Sequence, residues 1–201
     1  MSTKICIFGA SVTWGEGDAE GGGWVARLQR YFKTGEDFDI IIYNLGISGD
    51  STEDLLKRFK NECVARKPKI IIFAIGTNDS LYIRTKNYPN ISLGKFQNNL
   101  LELINQAKSF SDKIVFVGLT KVDETKVMPI PWAKEKFYDN ENIAKYNLTL
   151  EKAAREHGLP FINLLDLLNA NDLDDGLHPN SDGHKKMFLR IKDFLLANRI
   201  V

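Results

Sequence analysis

The chain has 201 residues, of which 43% are hydrophobic and 26% charged, and its formal net charge is +1. This balance argues against nucleic acid, a membrane surface or an acidic substrate as a partner. No apolar run approaches the ~20 residues that span a bilayer, and the first apolar run is too short for a secretory signal. Because its two distant cysteines, Cys6 and Cys63, suit packed, reduced thiols, we expect a cytoplasmic protein formed by one domain, residues 1–201.

Five short runs are apolar nearly throughout and rich in β-branched residues. Such runs are typical of strands that are buried on both faces of a parallel sheet. In chain order they are "KICIF" (4–8), "FDIIIYN" (38–44), "KIIIFAI" (69–75), "KIVFVGL" (113–119) and "LPFINL" (159–164).

Segments of helical periodicity follow each of these runs. The predicted helices cover 23–32, 51–65, roughly 92–110, roughly 140–157 and a last stretch from near Ser181. Their apolar stripes are predicted to include Tyr31 and Leu93. The alternation predicts an α/β fold, with a five-stranded parallel sheet and helices on both faces. The long irregular stretch 120–140 suggests a functional flap.

Candidate functional residues follow four of the five predicted strands. They are Ser11 after the first, Gly46 after the second and Asn78 after the third, with Asp175 and His178 beyond the fifth. Ligands of open α/β sheets bind outside the carboxyl ends of the strands. We therefore expect these residues to lie on one rim of the sheet.

This set of residues contains the groups that acyl transfer requires. A serine hydroxyl becomes nucleophilic when an imidazole accepts its proton, and a carboxylate orients that imidazole. Asp175 and His178 are three residues apart, so one turn can bring the carboxylate to Nδ1 and leave Nε2 free for Ser11. The backbone N–H groups of Ser11 and Gly46 and the side-chain amide of Asn78 are candidate donors to an oxyanion.

With these residues the chain resembles the SGNH or GDSL-type esterases and lipases. The matching blocks are "FGASVTWG", "NLGISGDS", "IGTNDS" and "DGLHPN", in the family's order. The resemblance implies a flavodoxin-like three-layer α/β/α sandwich, with Ser11, His178 and Asp175 as the catalytic triad and Ser11, Gly46 and Asn78 as the oxyanion hole. One departure is Ala10, which stands where the family usually has aspartate.

Other polar residues near these blocks have alternative interpretations. Asp174 is a second candidate for the carboxylate, at a different offset from His178. Asp79 is predicted to order the loop that contains Asn78, and His184 to have a local structural role. His157 falls at a predicted helix end, where a cation is favourable.

The blocks lead to the hypothesis of a serine-dependent hydrolase of carboxylic esters with short, acetyl-type acyl groups. Its substrate is expected to be a small-molecule ester, with no nucleic acid partner and no membrane insertion. No metal or organic cofactor is expected, because the three histidines lack zinc spacing and "GEGDAEGG" lacks dinucleotide spacing. The alternative is a non-enzymatic flavodoxin-like module that binds flavin or carbohydrate, since "GASVTWGEGD" resembles a flavin-binding loop. Six loop aromatics are candidates for the pocket lining: Trp14, Tyr82, Tyr88, Trp132, Phe137 and Tyr138.

Overall fold

A computed structural model describes residues 2–34 and 39–201 of the chain. Its main sheet has five strands in the order β2-β1-β3-β5-β7, and every neighbouring pair is parallel. The strands are β1 (Thr3–Gly9), β2 (Ile40–Gly46), β3 (Ile70–Ala74), β5 (Lys113–Val117) and β7 (Phe161–Ile162). The predicted five-stranded parallel sheet is confirmed.

All five strands differ from their predictions at one or both ends, and β7 differs most. Strand β2 ends at Gly46, where it still pairs with Gly9, and the predicted start at Phe38 lies outside the described residues. Strand β7 has only two residues, although 159–164 was predicted. The reason is local: Pro160 has no N–H to donate, and its carbonyl accepts from the Phe116 N–H at 2.9 Å just before the ladder begins.

Helices occupy the connections between the strands. The long ones are α2 (Gly23–Thr34), α3 (Thr52–Arg66), α5 (Leu93–Ala107), α7 (Asn140–Glu156) and α8 (Ser181–Ala197). Three single-turn helices, α1 (Ser11–Trp14), α4 (Thr77–Ser80) and α6 (Glu124–Val127), and a 3₁₀ turn (Ala170–Asp172) complete the set within the described ranges. All five predicted helices are confirmed.

The sheet is buried on both faces, which makes three layers. Alternate residues of β1 face opposite sides: Ile5 and Ile7 pack with residues of α2 and α8, whereas Cys6 and Phe8 pack with residues of α3, α5 and α7. This period of two is the strand geometry that a nearly continuous apolar run requires when both faces are covered. The predicted α/β/α sandwich is confirmed.

Two members of the predicted apolar stripes are not buried. Tyr31 is 42% exposed, because its ring lies over the junction of α2 and α8, 6.2 Å from the Phe188 ring. Leu93 is 40% exposed because it is the first residue of α5 and precedes the buried part of the stripe, which starts at Phe96.

The stretch 120–140 is more ordered than predicted. It contains α6 and the short strand β6 (Lys136–Phe137), which pairs antiparallel with β4 (Tyr82–Ile83). This pairing joins the stretch to the loop after β3, so that both loops lie over the same rim of the sheet. Within the described residues no helix combines the length and apolarity needed to cross a membrane.

Both cysteines are buried free thiols. Cys6 lies in β1 and Cys63 in α3, and burial raises the pKa of each to about 12. They therefore behave as small apolar groups of the core, as predicted.

Candidate active site

The order of the strands places the candidate residues at one point of the sheet. The chain passes from β1 to its neighbour β2 and then crosses to β3 on the other side of β1. The crevice between β1 and β3 is therefore the switch point at which ligands of such sheets bind. Ser11 follows β1 as the first residue of α1, and Asn78 follows β3 in α4.

Ser11, His178 and Asp175 form a hydrogen-bonded chain. The Ser11 Oγ atom lies 3.0 Å from His178 Nε2, and His178 Nδ1 lies 2.7 Å from Asp175 Oδ2. The residues are 167 positions apart in the first pair and three in the second. Because the carboxylate faces Nδ1, that nitrogen carries the proton and Nε2 is free to accept from the serine hydroxyl.

The Asp175 carboxylate is held in its charged form. Burial by itself would raise its pKa, but its hydrogen bond with the His178 ring and the bonds from the His178 and Leu177 N–H groups outweigh burial and lower the pKa to about 2. A permanent negative charge beside Nδ1 stabilises the imidazolium that proton transfer creates.

Asp174, the second candidate for this role, points elsewhere. Its side chain is exposed, and its backbone N–H donates to the His178 carbonyl at 2.8 Å. Asp174 therefore shapes the turn that carries the histidine, whereas the contact with the ring belongs to Asp175.

The prediction for Gly46 does not fit the structure. Its N–H donates to Asn44 Oδ1 at 3.1 Å, and a Cβ at this position would lie 2.4 Å from the Trp14 nitrogen. Gly46 thus allows α1 to pack closely on the end of β2. Three residues later, Gly49 lies in the wall of the cavity that contains Ser11 and adopts a φ of +89°. Among the described residues nothing accepts the Gly49 N–H, so it is free to bind an oxyanion.

The Asn78 side chain is fixed at both ends of its amide. Nδ2 donates to the Asp50 carbonyl at 3.0 Å, and Oδ1 accepts from the Tyr138 hydroxyl at 2.7 Å. The amide nitrogen has two hydrogens, so one remains for a ligand in the cavity. Sequence reasoning proposed Tyr138 only as one of several pocket aromatics, because nothing local in "KFYDN" indicates a contact 60 residues away.

These residues surround a cavity of about 540 Å³. Polar and apolar side chains share its wall. Besides Ser11, Gly49, Asn78, Tyr138 and His178, the lining residues are Glu16, Ser48, Asp54, Leu81, Asn90, Ile130, Trp132, Ala133, Lys136 and Leu177. The stretch 120–140 therefore contributes a large part of the wall.

Of the six predicted pocket aromatics, two line this cavity. They are Trp132 and Tyr138. Tyr82 instead packs against Phe137, with ring centroids 5.2 Å apart and the rings tilted by 33°, and so joins β4 to β6. Tyr88 lines a neighbouring surface cavity.

Three other titratable residues have structural contacts. Asp79 is buried and accepts hydrogen bonds from the Thr52 N–H and hydroxyl, and burial raises its pKa to about 6. His184 is buried, with Nδ1 accepting from the Trp24 N–H. His157 caps the end of α7 and lies 3.0 Å from the Ala153 carbonyl.

A family model described as the GDSL-like Lipase/Acylhydrolase family matches residues 7–186. The chain belongs to this family. The matched range includes Ser11, Asp175 and His178, the three residues that are joined by hydrogen bonds. Among residues 2–34 and 39–201 no group of three histidine, cysteine, aspartate or glutamate side chains is placed to hold a metal ion.

Proteins and solved structures that are similar to this chain have different names. An uncharacterized lipoprotein of Bacillus subtilis is 31% identical over 56% of this chain and 49% of its own length. An isoamyl acetate-hydrolyzing esterase of Saccharomyces cerevisiae is 29% identical over 55% of this chain and 50% of its own. The chain thus spans about half the length of these curated relatives. An acetylxylan esterase from Geobacillus stearothermophilus superposes with a TM-score of 0.72 at 21% identity, covering 96% of this chain and 92% of the other.

Proposed function

We propose that this GDSL-like family member hydrolyses carboxylic esters with Ser11 as its nucleophile. The observation that carries the proposal is the 3.0 Å contact between Ser11 Oγ and His178 Nε2. A serine hydroxyl at this distance from an oriented imidazole is the arrangement that nucleophilic catalysis requires. The remaining groups of the cavity then have roles that follow from their positions.

In the first half of the reaction, His178 Nε2 takes the proton of Ser11 as Oγ attacks the ester carbonyl carbon. The carbonyl oxygen becomes an oxyanion, which accepts hydrogen bonds from the Ser11 N–H, the Gly49 N–H and the free Nδ2 hydrogen of Asn78. The imidazolium, stabilised by Asp175, gives its proton to the leaving alcohol. The acyl group is then attached to Ser11.

In the second half, a water molecule takes the place of the alcohol. His178 accepts a proton from this water as the water oxygen attacks the acyl carbon. Collapse of the second tetrahedral intermediate returns the proton to Ser11 Oγ and releases the acid. No step in this sequence requires a metal or an organic cofactor.

We propose short acyl groups, acetyl above all, as the acid component. A long acyl chain requires a long apolar groove, whereas the polar side chains of Glu16, Ser48 and Lys136 interrupt the wall of this cavity. Two relatives are named for hydrolysis of acetyl esters, one of isoamyl acetate and one of acetylxylan. Polar groups on the wall suit a leaving alcohol that has hydroxyl groups of its own.

The experiment compares hydrolysis of p-nitrophenyl acetate, butyrate and octanoate by the wild type and by Ser11→Ala. Ser109→Ala is the matched control, because Ser109 is an exposed serine beyond the end of α5. We expect hydrolysis of the acetate by the wild type and by Ser109→Ala, and only background hydrolysis by Ser11→Ala. Equal background rates in all three proteins would contradict ester hydrolysis by Ser11. A preference for octanoate would contradict the proposal that the acyl group is acetyl.

Two measurements test the alternatives to an active esterase. A fluorophosphonate reacts with an activated serine, so we expect it to label Ser11 and not Ser109; an unlabelled wild type would indicate an inert site. Flavin bound to the purified protein would give a yellow colour. That result would favour the binding module, which leaves the contacts between Ser11, His178 and Asp175 without a purpose.

A further inference from the structure

Tyr138 brings a hydroxyl group to the back of the active site from a distant part of the chain. It follows β6 directly, at the end of the stretch that forms one wall of the cavity, and its side chain is 2% exposed. Its hydroxyl oxygen lies 2.7 Å from Asn78 Oδ1. Through this contact the Tyr138 side chain constrains the orientation of the Asn78 amide, which belongs to the proposed oxyanion hole.

The contacts permit only one orientation of that amide. The Asp50 carbonyl, 3.0 Å from the Asn78 side chain, can only accept a hydrogen bond, so the amide NH₂ must face it. Oδ1 therefore faces Tyr138, and the phenol must be the donor. In the reversed orientation two carbonyl oxygens would face each other. Tyr138 and Asp50 together select the orientation that leaves one N–H free.

A hydrogen bond to Oδ1 also changes the amide as a donor. Hydrogen bonds in a chain polarise one another, and in a buried site this effect is stronger than in water. Electron density drawn towards Oδ1 makes the Nδ2 hydrogens better donors. Burial raises the pKa of Tyr138 well above its usual value, with the negative charges of Asp175 and Asp79 adding to the effect, so the phenol keeps its proton.

We propose that Tyr138 is a positioning residue that acts through Asn78, by orienting and polarising the amide that binds the oxyanion. The inference rests on the proposed esterase function. It assigns the stretch 120–140 a part in the chemistry besides forming the cavity wall. Tyr138 itself does not touch the reacting atoms.

The first test is Tyr138→Phe, which removes the hydroxyl and keeps the ring. Tyr146→Phe is the matched control, because Tyr146 is also buried and its hydroxyl also donates to one acceptor, the Ile91 carbonyl. We expect kcat for p-nitrophenyl acetate to fall about tenfold in Tyr138→Phe with KM nearly unchanged, since the Asn78 amide loses the one uncharged hydrogen bond that orients and polarises it for the oxyanion. Tyr146→Phe should keep the wild-type kcat, and thermal unfolding of both variants shows whether each is folded.

A double-mutant cycle separates a role through Asn78 from a general effect on the fold. In Asn78→Ala, the amide that Tyr138 orients is absent, so adding Tyr138→Phe should not lower kcat further. A wild-type kcat in Tyr138→Phe, or the same tenfold fall in both backgrounds, would overturn the inference.

A spectroscopic measurement does not depend on turnover. The Asn78 side-chain NH₂ resonances in an ¹⁵N correlation spectrum should shift in Tyr138→Phe and stay in place in Tyr146→Phe. Unshifted resonances would overturn the inference even if kcat fell. Wild-type protein without Ser11-dependent hydrolysis would instead overturn the proposed function, and with it the catalytic meaning of the contact.

Discussion

The indole of Trp132 lies nearly parallel to the imidazole of His178, with an interplanar angle of 17° and ring centroids 6.5 Å apart. The two residues belong to different segments, Trp132 to the stretch before β6 and His178 to the turn before α8. Trp132 is 60% exposed and lines the cavity. An exposed aromatic ring beside the imidazole that we propose as the base has a large apolar face available to a substrate.

We therefore expect Trp132→Ala to weaken substrate binding more than catalysis. KM for an aryl acetate should rise about fivefold, which corresponds to the loss of one aromatic contact, and kcat should change little. Trp14→Ala is the control, because Trp14 is also 60% exposed but is not part of the cavity wall. Equal effects of the two substitutions would contradict this role for Trp132.

Asp175→Asn tests the carboxylate of the proposed triad. The amide can present its NH₂ to Nδ1 and so favour the tautomer in which Nε2 carries the proton and cannot accept from Ser11. We expect kcat to fall by about 1,000- to 10,000-fold, while the fold is retained. Asp174→Asn is the matched control, since Asp174 is adjacent and exposed and has no contact with the ring. A large loss in Asp174→Asn and none in Asp175→Asn would reverse the assignment.

Gly9→Ala tests the close packing of the end of β1 against α1 and β3. A Cβ at Gly9 would lie 2.0 Å from Thr13 Oγ1 and 2.5 Å from the Ala74 carbonyl. We expect the free energy of unfolding to fall by about 2 kcal/mol or more, because the backbone of β3 cannot move aside without disrupting the sheet. Urea titration measures this change.

Gly94→Ala is the matched control for that substitution. Gly94 lies in the first turn of α5, and an added Cβ would meet no atom within 4 Å. Alanine is the better helix former, so the free energy of unfolding should rise by about 0.5 kcal/mol. A similar loss in both variants would show that the contacts of Gly9 are not the cause.

The burial of the His184 ring predicts that the protein loses stability in acid. Its Nδ1 accepts a hydrogen bond from the backbone N–H of Trp24 at 3.2 Å, and its Nε2 lies 2.9 Å from the Glu16 carbonyl, so the buried ring is neutral. Burial lowers its pKa below the ordinary value of 6.5, and the hydrogen bond to Glu16 and the charge of Asp18 oppose this shift only in part. As the pH falls below 6.5, the unfolded chain takes up the proton before the folded chain does, and the free energy of unfolding decreases.

Thermal unfolding between pH 8 and pH 5 measures this effect. Relative to His184→Gln, whose side chain cannot titrate, we expect the wild type to lose more stability below pH 6.5. His157→Gln serves as the control, because His157 is only half-buried at the end of α7. Parallel pH curves for the wild type and His184→Gln would contradict the prediction.

The sequence-based choice between two neighbouring glycines depends on where one strand ends. Gly46 and Gly49 lie in the same block, "NLGISGDS", and both follow the strand as predicted, 38–44. Strand β2 continues to Gly46, whose N–H is taken by Asn44, so we propose the Gly49 N–H as the donor to the oxyanion. The strand ends two residues later than predicted, and this difference decides which glycine of the block has a free N–H.

Tyr138 illustrates a second limit of prediction from the sequence, which is the long-range contact. Its partner Asn78 was recognised from the motif "GTNDS", but the tyrosine lies 60 residues later in a stretch predicted to be irregular. The pairing of β4 with β6 brings the two together. No periodicity or motif within either segment indicates that pairing.

The amino-acid sequence determined the alternation of buried strands and amphipathic helices, and thereby the layers of the sandwich and the rim on which Ser11, Asn78 and His178 lie. Those features follow from apolar periodicity, which is a local property of the chain, and from the parallel sheet that this periodicity predicts, whose strands all end at the same edge. Only the tertiary structure decided which N–H groups are free, which carboxylate meets the imidazole and which tyrosine holds the amide. These depend on hydrogen bonds about 3 Å long, and a displacement of one residue along a strand or a turn makes or breaks such bonds.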